Sequence, residues 1–535
     1  MILIVYLCGL PTFVLKTLAQ PSQTFSQVDA SLAQTSSCLT SLPETENESF
    51  FIQSINIEGN TVLHTEISQL TRPFNEQTVT LESLLCLRSQ ITDLYLANGY
   101  INSGAFLPNN QDLSQEIVTI QVREGTLEEI QIIGLQRLQD NYIRSRLQFA
   151  TETPLNQKSI EEALELLKLD PLIQQINAEL TAGKAPGQSI LMVEVQEASA
   201  FQATIGTDNY RPPSIGSTQG IVALNHNNLL GWGDSIYAEY DRTEGLDFYN
   251  FSYTVPVNAD DGTISFRYWN SDSGIISEEF DEFDINSENE TLSFTFRQPI
   301  IKNLNHELSL GITFDRRREQ TFLLDEPFSL SIAAENGTIK LTGIRFFKEY
   351  LNRGKTTVLA VRSQFNFGVD LFNPTINNIG VDGRFFSWQG QVQWVKQLSP
   401  RLLFLTSIDT QVTPDSLLPL EQIPIGGINS VRGYRQNKLL TDNGFIASIE
   451  TQFSLLENSR VLQLTPFFEL GTGWNHLLPD PDPATLISVG LGLRWAITSN
   501  IGLRVDYGIP LEPTRKQGNS WQENGFYFSL RYQPF

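Results

Sequence analysis

Positive charge is scarce in this chain of 535 residues, where 36 Lys and Arg stand against 60 Asp and Glu for a formal net charge of −24. Covering phosphates needs clustered Lys and Arg, so a nucleic-acid partner is excluded. Long apolar runs are missing as well. Beyond the N-terminus no uninterrupted stretch of about 20 apolar residues occurs, which excludes a bundle of membrane helices. Histidine is rare and scattered, at His64, His226, His306 and His476, without the spacing of metal ligands. No GxSxG nucleophile motif occurs. Gly354-Lys355-Thr356 imitates the end of a phosphate loop, but Glu349 stands where that loop needs its first glycine. The acidic run from Glu278 to Asp284 lacks the spaced Asp/Asn–Gly pattern of a calcium loop and reads as a solvated surface. These absences lead us to expect no enzyme, no metal and no cofactor.

Charged residues make up only 18% of the chain, below the roughly 25% of soluble domains, while Phe (33) and Gly (36) are plentiful. Without a spanning helix, that composition leaves one membrane class open. It is the β-barrel, whose strands alternate apolar and polar residues and never build a long apolar run.

At the N-terminus, Ile2 to Leu15 is apolar and is followed by Lys16 and the small-residue end Thr17-Leu18-Ala19-Gln20. Residues 1–20 read as a secretory signal peptide cleaved near Ala19. Residues 21–50, rich in Ser, Thr and Gln, read as a linker. Cys38 and Cys86 remain after cleavage, and an exported chain meets an oxidising compartment, so a Cys38–Cys86 disulfide is one expectation. The other is that Cys86, inside the apolar pattern Leu84-Leu85-Cys86-Leu87, is simply buried.

A repeat follows, with units at 51–124 and 125–198. Phe51 to Asn60 alternates like a strand, as does Leu127 to Gly134, and each precedes helical patterns. The first unit places Leu81, Leu84, Leu85, Ile91, Leu94 and Tyr95 at helical spacing; the second places Ile160, Ala163, Leu164 and Leu167. Alternating segments 100–107 and 117–122, then 173–180 and 190–195, complete an order β-α-α-β-β that occurs twice. These are two small α+β domains with an exposed sheet edge.

From residue 199 to 535 the helical period disappears. Ile487, Val489, Leu491, Leu493 and Trp495 alternate with Ser488, Gly490, Gly492 and Arg494; Ile501, Leu503, Val505, Tyr507 and Ile509 alternate with Gly502, Arg504, Asp506 and Gly508. Sixteen strands are expected, starting near Phe201, Thr218, Asp234, Leu246, Thr263, Glu290, His306, Ile339, Thr356, Phe385, Arg401, Gly444, Val461, Thr485, Ile501 and Gly525. Connections after even-numbered strands are tight, such as Gly231-Trp232-Gly233 and Ser399-Pro400. Those after odd-numbered strands are mostly long and polar, including 273–289, 325–338, 370–384, 415–443 and 512–524. Short periplasmic turns, long outer loops and an even strand count define an antiparallel transmembrane β-barrel.

The longest loop, Asp415 to Asn443, contains Pro424-Ile425-Gly426-Gly427-Ile428-Asn429-Ser430-Val431-Arg432-Gly433-Tyr434. Its glycines permit a tight fold-back that carries one Arg and one Tyr into the lumen. A buried Arg needs an acceptor. The thirteenth strand offers Glu469, which shares the inner face with Phe467 and Gly471 while Leu462, Leu464, Phe468 and Leu470 face lipid.

With Val431-Arg432-Gly433-Tyr434 on a long loop, Phe467-x-Glu469-x-Gly471 on the next strand, and Asn228-Leu229-Leu230-Gly231-Trp232-Gly233-Asp234, the chain resembles the outer-membrane polypeptide-translocating barrels. Two POTRA-like units, sixteen strands and the stretches Asp170-Pro171-Leu172 and Ala185 to Leu191 make it similar to two-partner secretion transporters, the hemolysin- and filamentous-hemagglutinin-secreting branch. The resemblance covers residues 51 to 535. It implies that periplasmic POTRA domains bind an unfolded exoprotein, and that the barrel passes it through the lipid of the outer membrane to the cell surface without ATP. It implies further that Arg432 and Glu469 anchor the loop, that Gly433 gives its turn and Tyr434 packs it, and that Phe535 is the signal read by barrel-assembly machinery. The family usually carries Asp where this chain has Glu469, and Gln533-Pro534 precede the terminal Phe. An insertase of the same superfamily and a passive porin are the alternatives, the latter leaving residues 51–198 without a role.

Overall fold

The computed structural model describes residues 2–5, 13–16, 38, 49–329, 334–377, 381–457, 459–514 and 518–535. The expected cleavage point at Ala19 and nearly all of the linker 21–50 lie outside these residues. Beyond the N-terminal segment the chain divides between Ala198 and Ser199 into two compact units.

The first unit holds the two repeats. In the first, Ser54–Glu58 runs parallel to Ile117–Arg123, which pairs antiparallel with Gly104–Phe106. The helix Leu81–Ala97 starts at a reciprocal cap: Ser83 N–H donates to Thr80 Oγ1 at 3.2 Å, and Thr80 N–H to Ser83 Oγ at 3.0 Å. Its buried stripe is Leu84, Leu87, Ile91 and Tyr95, packed with Val118, Ile120 and Val122. Leu81 and Leu85, expected on that stripe, are exposed, because Leu81 opens the helix and the stripe runs through Leu87 instead. The expected strand Phe51–Asn60 is broken at Gln53, and its first part, Ser49–Ile52, pairs with an unexpected strand Gln77–Thr80. The expected strand 100–107 shrinks to Gly104–Phe106.

In the second repeat, Thr126–Ile133 lies parallel to Gln188–Glu197, which pairs antiparallel with Ile173–Ala182. Ile160, Leu164 and Leu167 of the helix Gln157–Lys168 pack with Leu191, Val193 and Val195. Both repeats close with one device. Gly59 and Gly134 have φ of +86° and +89°, and a Cβ on either would strike the carbonyl oxygen of Val122 or Val195. Two residues beyond each valine stands a Glu. The Glu197 carboxylate accepts the backbone N–H of Gln136 (2.7 Å), Arg137 (2.9 Å) and Leu138 (2.9 Å). Glu124 accepts Thr61 N–H (2.7 Å) and the Tyr95 hydroxyl (2.8 Å).

The second unit is a closed antiparallel barrel. Its first eight strands are β1 Phe201–Asp208, β2 Gln219–Asn227, β3 Ser235–Arg242, β4 Leu246–Pro256, β5 Thr263–Gly274, β6 Ile285–Lys302, β7 His306–Leu323 and β8 Thr338–Arg353. The rest are β9 Thr357–Gly368, β10 Phe386–Ser399, β11 Leu402–Val412, β12 Asn443–Leu456, β13 Ser459–Trp474, β14 Thr485–Ala496, β15 Ile501–Pro510 and β16 Phe526–Tyr532. A two-residue strand, Glu326–Pro327, merely extends the β7–β8 hairpin. Leu491, Trp495, Tyr507 and Ile509 are exposed outward, whereas Ser488 and Asp506 are buried inward. β6 starts at Ile285 rather than Glu290, so part of the loop expected over 273–289 is strand. Asn286 to Glu290 pair in register with Phe322 to Arg318, in a polar stretch that shows no apolar alternation. Closure is thin: β1 meets β16 through only four residue pairs, Ile205 to Asp208 against Tyr532 to Ser529. Among the described residues no helix is long and apolar enough to cross a membrane.

Candidate functional site: the loop inside the barrel

The connection from β11 to β12, residues 413–442, folds into the barrel as a small hairpin of its own. Ile423–Ile425 pairs with Leu439–Thr441, and Gly426 and Gly427, with φ of +110° and +95°, turn the chain between them. Gly426 N–H donates to Ser430 Oγ at 2.7 Å. Ile425, Val431, Tyr434 and Leu439 form an apolar cluster with Ile446 and Leu486 of the wall. Gly471 of β13 makes room for it, since a side chain there would run into Ile425 and Val431.

Arg432 sits at the tip, 2% exposed. It meets Glu469 three times: backbone N–H to Oε2 at 2.6 Å, Nε to Oε1 at 2.8 Å and Nη2 to Oε1 at 2.5 Å. Nη1 reaches Asp506 of β15 at 2.7 Å and Glu450 of β12 at 3.1 Å. Its guanidinium lies 3.4 Å from the centre of the Phe467 ring, a cation–π contact. Arg494 at 2.8 Å from Glu450 and Arg504 at 2.6 Å from Asp506 complete a network of three cations and three carboxylates. Such groups are tolerated in a buried site only when each is paired and hydrogen-bonded. Gly433, at φ +98°, is pressed against Gly508 of β15 and donates its N–H to Tyr527 Oη at 3.1 Å. The Tyr434 hydroxyl sits between Ile487 and Glu512, 2.9 and 3.0 Å from their carbonyl oxygens.

The structure thus brings Val431, Arg432, Gly433, Tyr434, Phe467, Glu469 and Gly471 into one site. Sequence reasoning missed Glu450, Asp506 and Tyr527. All three lie on the alternating inner face, but nothing in a single strand says which inner polar residue meets the loop.

A second ionic cluster was also missed. Glu421, in the short helix Pro419–Glu421 at the start of the loop, accepts Arg345 Nη2 and Nη1 at 2.7 and 3.0 Å and lies 3.2 Å from Arg317 Nη1. Arg345 also pairs with Asp315 through Nε. At the base of the loop, Asp442 accepts Leu417 N–H, Gln422 Nε2 and His476 N–H, each at 3.0 Å.

The remaining sites lie elsewhere. Phe535 stands beyond the end of β16, 72% exposed, its ring 5.9 Å from that of Phe201 beside the seam. In the first unit, Cys38 and Cys86 are joined by a disulfide with Cα atoms 5.7 Å apart, which ties the N-terminal segment to the helix Leu81–Ala97.

A sixteen-stranded barrel with a basic loop tip locked to its inner wall, preceded by two small α+β repeats, defines an outer-membrane transporter barrel of the POTRA-bearing class. Residues 187–495 match the model of the family described as haemolysin secretion/activation protein ShlB/FhaC/HecB, and residues 50–125 match the ShlB-type POTRA domain. The chain belongs to the ShlB/FhaC/HecB family. It is 25% identical over 494 residues to the outer membrane transporter CdiB of Escherichia coli, covering 88% of this chain and 82% of that one. It is 22% identical over 491 residues to the heme/hemopexin transporter protein HuxB of Haemophilus influenzae, covering 86% and 83%. The solved structure of CdiB from Escherichia coli superposes with a TM-score of 0.68 at 23% identity, over 92% of this chain and 93% of that one. The protein is a two-partner secretion transporter of the outer membrane, in a family of transporters rather than enzymes.

Proposed function

We propose that the mature chain, after loss of residues 1–20, uses units 51–124 and 125–198 in the periplasm to hold an unfolded exoprotein, and that the barrel 199–535 passes it outward. Ile173–Ala182 supports this reading: it is the edge of its sheet, and an edge offers unpaired backbone groups to an extended chain. Folding of the exoprotein outside supplies the drive in place of ATP. The loop is the gate. The observation that carries the proposal is Arg432, buried in the lumen and paired with Glu469. Phe535 serves barrel-assembly machinery, and the outward-facing strands meet outer-membrane lipid.

Arg432→Ala is the test. It abolishes exoprotein secretion while the barrel still assembles, seen as a heat-modifiable band on gels. Normal secretion by that variant would sink the assigned role. The four-pair seam favours a second reading, an insertase that opens between β1 and β16. A disulfide engineered across the seam separates the two, because it stops an insertase and leaves a lumenal transporter working.

A further inference from the structure

We infer that Glu421 is a second anchor, so that the gating loop is a strap fastened at two places on the barrel wall and not a flap hinged at one. The first anchor holds Arg432 to β12, β13 and β15. The second holds Glu421 to β7 and β8, with β8 four strands around the ring from β12, the nearest strand of the first anchor. Glu421 is buried, and both terminal nitrogens of Arg345 are directed at its two carboxylate oxygens, the fork geometry that fixes direction as well as distance. The loop backbone is held at the same point. Arg317 Nη1 donates to the Leu420 carbonyl at 3.0 Å, and Gln411 Nε2 to the Glu421 carbonyl at 2.9 Å. The Arg345 guanidinium is oriented by Asp315 from its other side, so it waits in place for the loop.

Between the anchors the chain runs from 421 to 432, and Asp442 clasps Leu417 and Gln422 at its base. Breaking the Arg432 end alone therefore leaves the first part of the loop fixed to β7 and β8. Clearing the lumen requires both ends to release. This inference rests on the reading of the loop as the gate, but its test does not depend on an exoprotein.

The experiment compares wild type, Glu421→Gln, Glu421→Asp, Arg345→Gln and the double variant Glu421→Gln/Arg345→Gln as purified full-length proteins in planar lipid bilayers. Heat modifiability on gels reports that each barrel is folded. Glu421→Gln raises the frequency of open-channel events by roughly tenfold or more, as expected when a buried pair loses one partner. Glu421→Asp, which keeps the charge, falls back toward wild type. The double variant opens no more than the stronger single one, because the two residues make one interaction. Wild-type opening by Glu421→Gln, or full additivity in the double variant, overturns the second anchor. Secretion is measured in parallel. If Glu421→Gln leaves the channel closed while Arg432→Ala still abolishes secretion, the anchor fails and the gate reading stands. If Glu421→Gln opens the channel and Arg432→Ala secretes normally, the anchor stands and the gate reading fails.

Discussion

Adding one methyl group to the barrel wall at Gly508 tests the docked loop without removing any charge. An alanine Cβ there would lie 2.5 Å from Gly433 N, 2.6 Å from the Arg432 carbonyl carbon and 2.8 Å from Gly433 Cα. Those are backbone atoms, which cannot swing aside as a side-chain end does, so the tip must retreat by about 1 Å to reach ordinary van der Waals contact. That retreat stretches two hydrogen bonds beyond useful length: Arg432 N–H to Glu469 at 2.6 Å and Gly433 N–H to Tyr527 at 3.1 Å. Overpacking costs about 1–3 kcal/mol and each lost bond about 0.5–1.5 kcal/mol, so the docked state weakens by at least about 2 kcal/mol, or roughly 30-fold. The assay is open-channel probability in planar bilayers, with heat modifiability as the check on folding. Gly502→Ala is the control. It lies on the same strand and the same face, yet nothing stands within 4 Å of its Cβ. Gly508→Ala raises the open-channel probability and Gly502→Ala leaves it at the wild-type level. Equal behaviour of the two variants would refute the reasoning.

Two further predictions concern the repeats. Burial raises the pKa of Glu197, but the N–H groups of Leu138, Gln136 and Arg137, with the Arg137 side chain, outweigh it and hold the carboxyl below its ordinary range. A folded-state pKa below the unfolded one gives stability that is complete above the unfolded value and lost as pH falls through the folded one. Amide exchange of the full-length protein, corrected for intrinsic rate, therefore shows the second repeat loosening as pH drops below about 4.3, and Glu197→Gln flattens that dependence. The Cys38–Cys86 bridge closes a separation of 48 residues, for which the chain-entropy model gives about 4 kcal/mol. Reduction or Cys38→Ser lowers the urea midpoint of the first repeat accordingly, and two titratable thiols in the unreduced native protein would end that expectation.

The barrel was legible because lipid imposes a period of two on every crossing strand, and link lengths sort by side of the membrane. The start of β6 was misread where that pressure stops, since Ser287 to Glu290 stand in a polar stretch with no apolar face to mark them. Arg432 and Glu469 could be paired in advance because Arg432 stands in the Val431-Arg432-Gly433-Tyr434 motif and β13 has one inward acid. Asp506 and Glu450 could not be, because inner polar residues occur on many strands and only barrel curvature selects those that meet the tip. Glu421 gave no signal at all. It is one carboxylate in a long polar loop, and its partners Arg345 and Arg317 sit on strands distant in sequence. In the repeats, Leu81 and Leu85 were misplaced because Leu87 offered an alternative stripe that only the docked sheet decides between.

Both ionic clusters are electrically balanced only with the loop in place. Without Glu421, its own cluster keeps Arg345 and Arg317 against Asp315 and is one positive charge over. Without Arg432, the wall of β12 to β15 keeps Arg494 and Arg504 against Glu450, Glu469 and Asp506 and is one negative charge over. A withdrawn loop therefore leaves an unmatched cation in the first cluster and an unmatched carboxylate in the second. Each attracts the opposite sign, so an extended polypeptide meets a site for an acidic side chain at the first cluster and one for a basic side chain at the second.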